Sequence, residues 1–102
     1  MDFELIKCKD APAYLYRRDV FFVDLREPWQ YAQYHLAGAY NFPYEHLQEW
    51  EHRLPRGKKI IFYCEHGNLS LMAAKRVSRH GYQVAALLGG VHCFLERNAN
   101  IR

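Results

Sequence analysis

Cysteine, proline and glycine are all scarce in this chain, which has three, four and six of them among 102 residues. The cysteines stand at positions 8, 64 and 93, an odd and widely spaced set. This set argues against a disulfide framework and predicts a reducing compartment, the cytoplasm. The chain has no C-x-x-C, and only Cys64 and His66 have the spacing of a ligand pair. We therefore expect neither a metal nor another cofactor.

Long apolar runs and clustered charges are also missing. No apolar run has the length that a membrane helix needs, and the first residues lack the basic and then apolar pattern of a secretory signal. The net charge is +3, and the basic residues are spread along the chain without forming a stripe. We expect no membrane and no nucleic acid among the partners.

The composition indicates a globular protein, because half of the residues are hydrophobic and a quarter are charged. The length suits a single domain, residues 1–102, with one hydrophobic core, and we expect a monomer. Apolar, β-branched runs alternate with segments of helical spacing, which predicts an α/β domain whose small parallel sheet has helices on both faces. The predicted strands are Leu5–Ile6, Val20–Val23, Ala39–Phe42, Lys59–Tyr63 and Val84–Leu88. The predicted helices are Ala11–Arg17, Glu27 to about Gly38, Tyr44–Leu54, Ser70–His80 and Val91–Asn98.

Cys64 follows directly on the predicted strand Lys59–Tyr63. Ligands of open α/β sheets bind at the carboxyl ends of the strands. Gly67 adopts a positive φ readily and Asn68 tolerates one, so their loop can turn N–H groups inward as an anion-binding nest. A helix that starts at about Asn68 to Ser70 adds its positive end. Such a cup would hold Cys64 as a thiolate, whereas the alternative is a buried, inert cysteine.

Other polar residues near this loop have a functional and a structural interpretation. His66 either pairs with the thiolate or is an exposed loop histidine, and we favour the second. Arg26 either reaches the pocket or forms an ion pair with Asp24, and we again favour the structural role. Cys93 is a possible resolving thiol, but we expect it to pack, and we expect Cys8 to have no role.

Three segments, which together span nearly the whole chain, carry recognisable motifs in order. They are VDLREPWQYAQYHLAGAYNFP, then IIFYCEHGNLSLMAAKRVSRHGY with its C-x-x-G-x-x-S loop, and last VAALLGGVHCF with its Gly-Gly turn. This ordered set resembles the rhodanese-like sulfurtransferases. The first segment is similar to that family's N-terminal signature, the second to its catalytic segment and the third to its closing strand and turn.

The resemblance implies an enzyme in which Cys64 is the nucleophile. It would take a sulfane sulfur from thiosulfate or a persulfide, carry it as a persulfide, and pass it to a thiol or cyanide. The donor would be a small molecule or a protein persulfide. The resemblance also implies substrate-binding roles for the residues of the Cys64 loop: Glu65, His66, Gly67, Asn68, Leu69 and Ser70. Arg26 is a further substrate-binding candidate, because it ends a buried strand on the same carboxyl edge of the sheet.

The sequence departs from the family pattern at Gln30, Tyr34 and Leu69, where many members have Glu, Gly and Arg. Because Leu69 carries no charge and Glu65 adjoins the nucleophile, the loop disfavours a dianionic donor such as thiosulfate. A cysteine phosphatase or arsenate reductase of C-x5-R type is excluded, because position 70 is Ser70. A non-catalytic rhodanese-like interaction module remains the alternative.

Overall fold

A five-stranded parallel sheet forms the centre of the fold in the computed structural model, which describes residues 3–95. The spatial order is β1-β5-β4-β2-β3, and every neighbouring pair is parallel. The α/β class with a small parallel sheet is thereby confirmed. The strands are β1 (Glu4–Ile6), β2 (Val20–Asp24), β3 (Tyr40–Asn41), β4 (Lys59–Tyr63) and β5 (Gln83–Leu87).

Within residues 3–95, three α-helices and two 3-10 helices connect the strands, and a fourth α-helix follows β5. The α-helices are α1 (Pro28–Gln33), α2 (Leu47–Trp50), α3 (Asn68–Ser78) and α4 (His92–Leu95). The 3-10 helices are Cys8–Tyr14 and Tyr44–His46. No helix within residues 3–95 is long and apolar enough to cross a membrane.

Side chains along β4 alternate between two buried clusters, one on each face of the sheet. Ile60, Phe62 and Cys64 belong to the cluster that α2 and α3 cover. Ile61 and Tyr63 belong to the cluster that the first 3-10 helix and α4 cover. This alternation is the two-residue period of a strand that is buried on both faces, and it places Cys64 on the face against which α3 packs.

Glu51 ties the end of α2 to α3. Its buried carboxylate accepts hydrogen bonds from Arg76, at 2.7 Å, and lies 2.5 Å from His80 Nε2. Burial raises the pKa of Glu51, but the hydrogen bonds from Arg76 and His80 more than offset it, so that its pKa is lowered. Ligand atoms of Glu51, His52 and His80 all lie within 4.8 Å of one another, which the sequence spacing did not indicate. With Arg76 already on the carboxylate, we interpret the cluster as an ion-pair network.

Two expectations from the sequence are wrong, one about the first helix and one about the cysteines. The predicted helix Ala11–Arg17 is a 3-10 helix that starts earlier, at Cys8, and contains Pro12, which an α-helix interior does not accommodate. The expectation that the chain has no disulfide is also wrong. Cys8 and Cys93 are joined by a disulfide, with their Cα atoms 5.2 Å apart, because β1 lies beside β5 and the segments that follow these two strands are therefore neighbours.

Candidate active site

The carboxyl ends of β2, β4 and β5 meet at one edge of the sheet, and Cys64 lies at its centre. The Tyr63 carbonyl accepts a hydrogen bond of 3.0 Å from the N–H of Leu25, which follows β2. The Cys64 carbonyl accepts a hydrogen bond of 2.8 Å from the N–H of Val91, which lies beyond β5. The segments after both neighbouring strands therefore fix the backbone on either side of the cysteine.

The Cys64 sulfur accepts a hydrogen bond from the backbone N–H of Gly67, at 3.1 Å. Gly67 has φ +104° and directly precedes α3, and its own carbonyl accepts the hydroxyl of Ser70 at 2.8 Å. The sulfur thus faces the positive end of an eleven-residue helix. The cysteine is 3% exposed and borders a cavity of about 200 Å³ that Glu65, His66, Asn68 and Leu69 also line.

The local backbone agrees with the sequence both at Gly67 and at the start of the following helix. The positive φ predicted for Gly67 is confirmed. Asn68 begins α3, within the range predicted for the helix start, and among residues 3–95 the one non-glycine residue with a positive φ is Tyr16. A single left-handed residue followed by the helix therefore forms the cup, and the role of each loop residue in binding stays a prediction.

Arg26 forms the ion pair that we favoured. Its guanidinium lies 2.8 Å from Asp24 and 3.4 Å from Glu65, and it also donates to the Tyr34 carbonyl at 2.6 Å. Burial lowers the pKa of Arg26, but the hydrogen bonds with Asp24 outweigh that effect and its pKa is raised. Because these contacts use its charge and most of its donors, Arg26 is poorly placed to bind a substrate anion.

His66 is exposed, as expected, and its ring stacks on that of His92 with the centroids 5.1 Å apart. His92 Nε2 in turn lies 3.5 Å from Glu65. His92 therefore contacts two of the residues that line the cavity, His66 and Glu65. Nothing in the sequence near position 92 indicated this, because the contact depends on how α4 packs beside the Cys64 loop.

Leu69 is half-buried and separates the Cys64 cavity from a second one of about 280 Å³. Three of the residues around that second cavity are acidic, namely Glu27, Glu45 and Glu65. The cation beside them, Arg26, is neutralised by Asp24. The surroundings of the candidate nucleophile are therefore apolar at Leu69 and negative beyond it.

This fold and this loop have known counterparts. The model of the rhodanese-like domain family matches residues 7–96. The chain belongs to the rhodanese-like domain family. It is 31% identical to the thiosulfate sulfurtransferase GlpE of Coxiella burnetii over 75 residues, which are 72% of this chain and 70% of that protein.

Solved structures of family members agree with this assignment. A rhodanese-related protein from Thermoplasma volcanium superimposes with a TM-score of 0.87 at 26% identity, over 98% of both chains. A rhodanese homologue from Thermus thermophilus superimposes with a TM-score of 0.69 at 30% identity, over 88% of this chain and 99% of the other. The rhodanese-like domain predicted from the three sequence segments is confirmed.

The cup predicts the order in which the cysteines react. In reduced protein at neutral pH, we expect iodoacetamide to label Cys64 faster than Cys8 or Cys93, because it alone receives an N–H at a helix N-terminus. Peptide mass spectrometry after timed quenching measures the three rates. Faster labelling of Cys8 or Cys93 in the folded protein would mean that Cys64 is not the reactive thiol.

Proposed function

We propose that the protein is a sulfurtransferase that moves a sulfane sulfur from a persulfide donor to a thiol acceptor through a Cys64 persulfide. The observation that supports this most directly is the Gly67 N–H that points at the Cys64 sulfur. The same N–H and the start of α3 are placed to stabilise the outer, anionic sulfur of a persulfide. We propose that this happens in the cytoplasm, where persulfides and free thiols coexist.

The reaction has two balanced steps. The Cys64 thiolate attacks the outer sulfur of the donor, the donor's S–S bond breaks, and the donor leaves as a thiolate with the electron pair. An acceptor thiolate then attacks the outer sulfur on Cys64 and restores the Cys64 thiolate. Each step uses a thiolate as the nucleophile, and the Gly67 N–H points at the Cys64 sulfur, where the negative charge forms.

A turnover experiment tests this proposal. With glutathione persulfide as donor and a small thiol as acceptor, we expect Cys64→Ser to reduce transfer to the uncatalysed rate, since a serine hydroxyl is not ionised at neutral pH. In reducing buffer, Cys93→Ser provides the matched control and is expected to stay active. Equal rates for wild type and Cys64→Ser would leave the interaction module as the better description.

Leu69 and the acidic second cavity bear on the choice of donor. The similar Coxiella burnetii protein is named a thiosulfate sulfurtransferase. Thiosulfate carries two negative charges, and a charge-assisted hydrogen bond to its sulfonate is about twice as strong as a neutral one. Leu69 offers none, and Glu65 opposes the charge. A persulfide has no sulfonate, and its carbon stem can pack against Leu69, so we propose it as the better donor.

Leu69→Arg is expected to raise kcat/KM for thiosulfate by about tenfold, or ~1.4 kcal/mol of transition-state stabilisation. It should leave persulfide turnover nearly unchanged. Met72→Arg adds the same charge at an exposed position on α3, so it controls for net charge. Steady-state kinetics with both donors measure the effect. Wild type that already saturates at low thiosulfate, with no gain from the arginine, would contradict this choice of donor.

A further inference from the structure

The Cys8–Cys93 pair forms a second sulfur site near Cys64. The two residues are 85 positions apart, and their Cα distance of 5.2 Å lies within the range that a disulfide spans. Cys8 is exposed and Cys93 half-buried, so small thiols and disulfides in solution have access to the pair. Neither cysteine lines the Cys64 cavity.

This pair lies at the same carboxyl edge of the sheet as Cys64. Cys8 stands two positions after β1, and Cys93 lies in α4, just beyond the turn that follows β5. Both sulfurs are near the Leu88 carbonyl oxygen, at 3.3 and 3.0 Å. That oxygen can accept a hydrogen bond from either thiol when the pair is reduced, so the site accommodates a dithiol as well as a disulfide.

The Gly89–Gly90 turn lies between the pair and the Cys64 loop. A Cβ added to Gly89 would lie 2.7 Å from the Cys8 sulfur and 3.0 Å from the Cys93 sulfur. A Cβ added to Gly90 would lie 2.5 Å from the Glu65 carbonyl oxygen and closer still to that of Cys64. The sulfur pair therefore touches one glycine of the turn, and the Cys64 loop touches the next.

We propose that Cys8 and Cys93 are a redox modification site that controls the reactivity of Cys64. When the pair is oxidised, the bond joins the start of the first 3-10 helix to α4 across the turn and holds Gly90 against the backbone of Cys64 and Glu65. When it is reduced, α4 and the turn move more freely and the cup around the Cys64 sulfur is less well ordered. The inference rests on the proposed function only in taking Cys64 as the reactive residue.

The oxidant is a low-molecular-weight disulfide such as oxidised glutathione. One of the two cysteine thiolates attacks it, forms a mixed disulfide and releases one glutathione thiolate. The thiolate of the other cysteine then attacks the protein sulfur of the mixed disulfide and releases the second glutathione. The two cysteines lose two electrons in all, and oxidised glutathione gains them.

The first part of the test is whether the pair forms reversibly. The protein is equilibrated with mixtures of reduced and oxidised glutathione and then quenched with acid. Intact mass should show the loss of two hydrogens, and peptide mapping should join Cys8 to Cys93. Protein that carries glutathione on Cys64 is recognised by its mass and counted separately. If Cys8 and Cys93 stay unpaired at every ratio, the site does not exist.

The second part is whether the pair affects Cys64. We expect iodoacetamide to label Cys64 roughly fivefold faster in the oxidised than in the reduced protein, a coupling at the low end of the usual range. Cys8→Ser and Cys93→Ser cannot form the bond, so each should show the reduced rate in both buffers. Reduced wild-type protein gives the same comparison without a substitution, in case a variant folds poorly.

Equal Cys64 labelling rates in oxidised and reduced wild type would overturn the coupling. Labelling that is faster in the reduced protein would overturn its direction. Both readouts are independent of sulfur transfer, because they use mass and alkylation alone. A protein that shows this coupling but does not transfer sulfur would refute the proposed function and leave the redox site in place.

Discussion

Gly67→Val is expected to reduce sulfur transfer at least roughly a hundredfold, comparable with the loss of one donor from an oxyanion hole. The glycine has φ +104°, which a β-branched residue resists at a cost of roughly 1–3 kcal/mol. A Cβ there would meet its nearest neighbour, the Gly89 nitrogen, at an ordinary 3.5 Å. The effect therefore comes from the backbone, which would relax and turn the N–H away from the Cys64 sulfur.

Gly57→Val is the matched control for this prediction. Gly57 also has a positive φ, +84°, and a Cβ there would meet nothing within 4 Å. It precedes β4 at the opposite end of that strand from Cys64, so the variant carries similar backbone strain without touching the cup. Thermal unfolding and transfer rates are measured on both variants. Full activity in Gly67→Val would mean that its N–H does not serve the reaction.

Gly90→Ala is expected to lower stability and Cys64 reactivity together. The new methyl group would lie 2.7 Å from the Glu65 carbonyl carbon and closer to two carbonyl oxygens of the Cys64 loop. These are backbone atoms, which cannot move aside as a flexible side chain does. We expect overpacking to lower the free energy of unfolding by roughly 1–3 kcal/mol. We also expect the rate of Cys64 alkylation to fall at least about tenfold, since the loop must shift.

Gly38→Ala separates backbone strain from this collision. Gly38 has φ +85°, and a Cβ there would meet nothing within 4 Å. We expect Gly38→Ala to lose some stability and to keep normal Cys64 reactivity. Chemical unfolding and timed alkylation measure the two properties separately. If both variants behaved alike, the contact between the turn and the Cys64 loop would have no part in shaping the site.

The central strand and the helix after Cys64 were the most predictable parts of the fold. The predicted strand Lys59–Tyr63 is confirmed at both ends, because a continuously apolar run has no competing interpretation between two turns. The predicted helix Ser70–His80 is confirmed within two residues, as α3. Gly67 before it and Gly81 after it mark its limits.

Two helices are shorter than predicted, and hydrogen bonds to residues outside the helix accompany the early end of the first one. The helix expected from Glu27 to about Gly38 ends at Gln33. Beyond Gln33, the Tyr34 carbonyl accepts a hydrogen bond from the Arg26 guanidinium, and the Leu36 N–H donates a hydrogen bond to the Tyr63 hydroxyl. The helix expected over Tyr44–Leu54 begins as a 3-10 helix and remains α-helical only over Leu47–Trp50. The hydrogen bonds that join Arg26 to Tyr34 and Leu36 to Tyr63 are not visible in a local sequence pattern.

The candidate site was only partly predictable for the same reason. The strand end at Cys64 and the left-handed Gly67 are local properties, and both follow from the sequence. The proximity of Cys8 to Cys93, the stacking of His92 on His66 and the acidic second cavity all depend on strand order and helix packing. Residues far apart in the chain meet there, and only the tertiary structure brings them together.

The mass of the protein after exposure to a sulfane sulfur donor tests the central claim most directly. Reduced protein is incubated with glutathione persulfide, freed of the donor and measured intact, before and after treatment with a reductant. We predict the gain of one sulfur atom, located on the Cys64 peptide, lost on reduction and absent from Cys64→Ser. Cys8→Ser should gain the same atom. A sulfur that stays in Cys64→Ser, or no stable gain in wild type, would contradict the account.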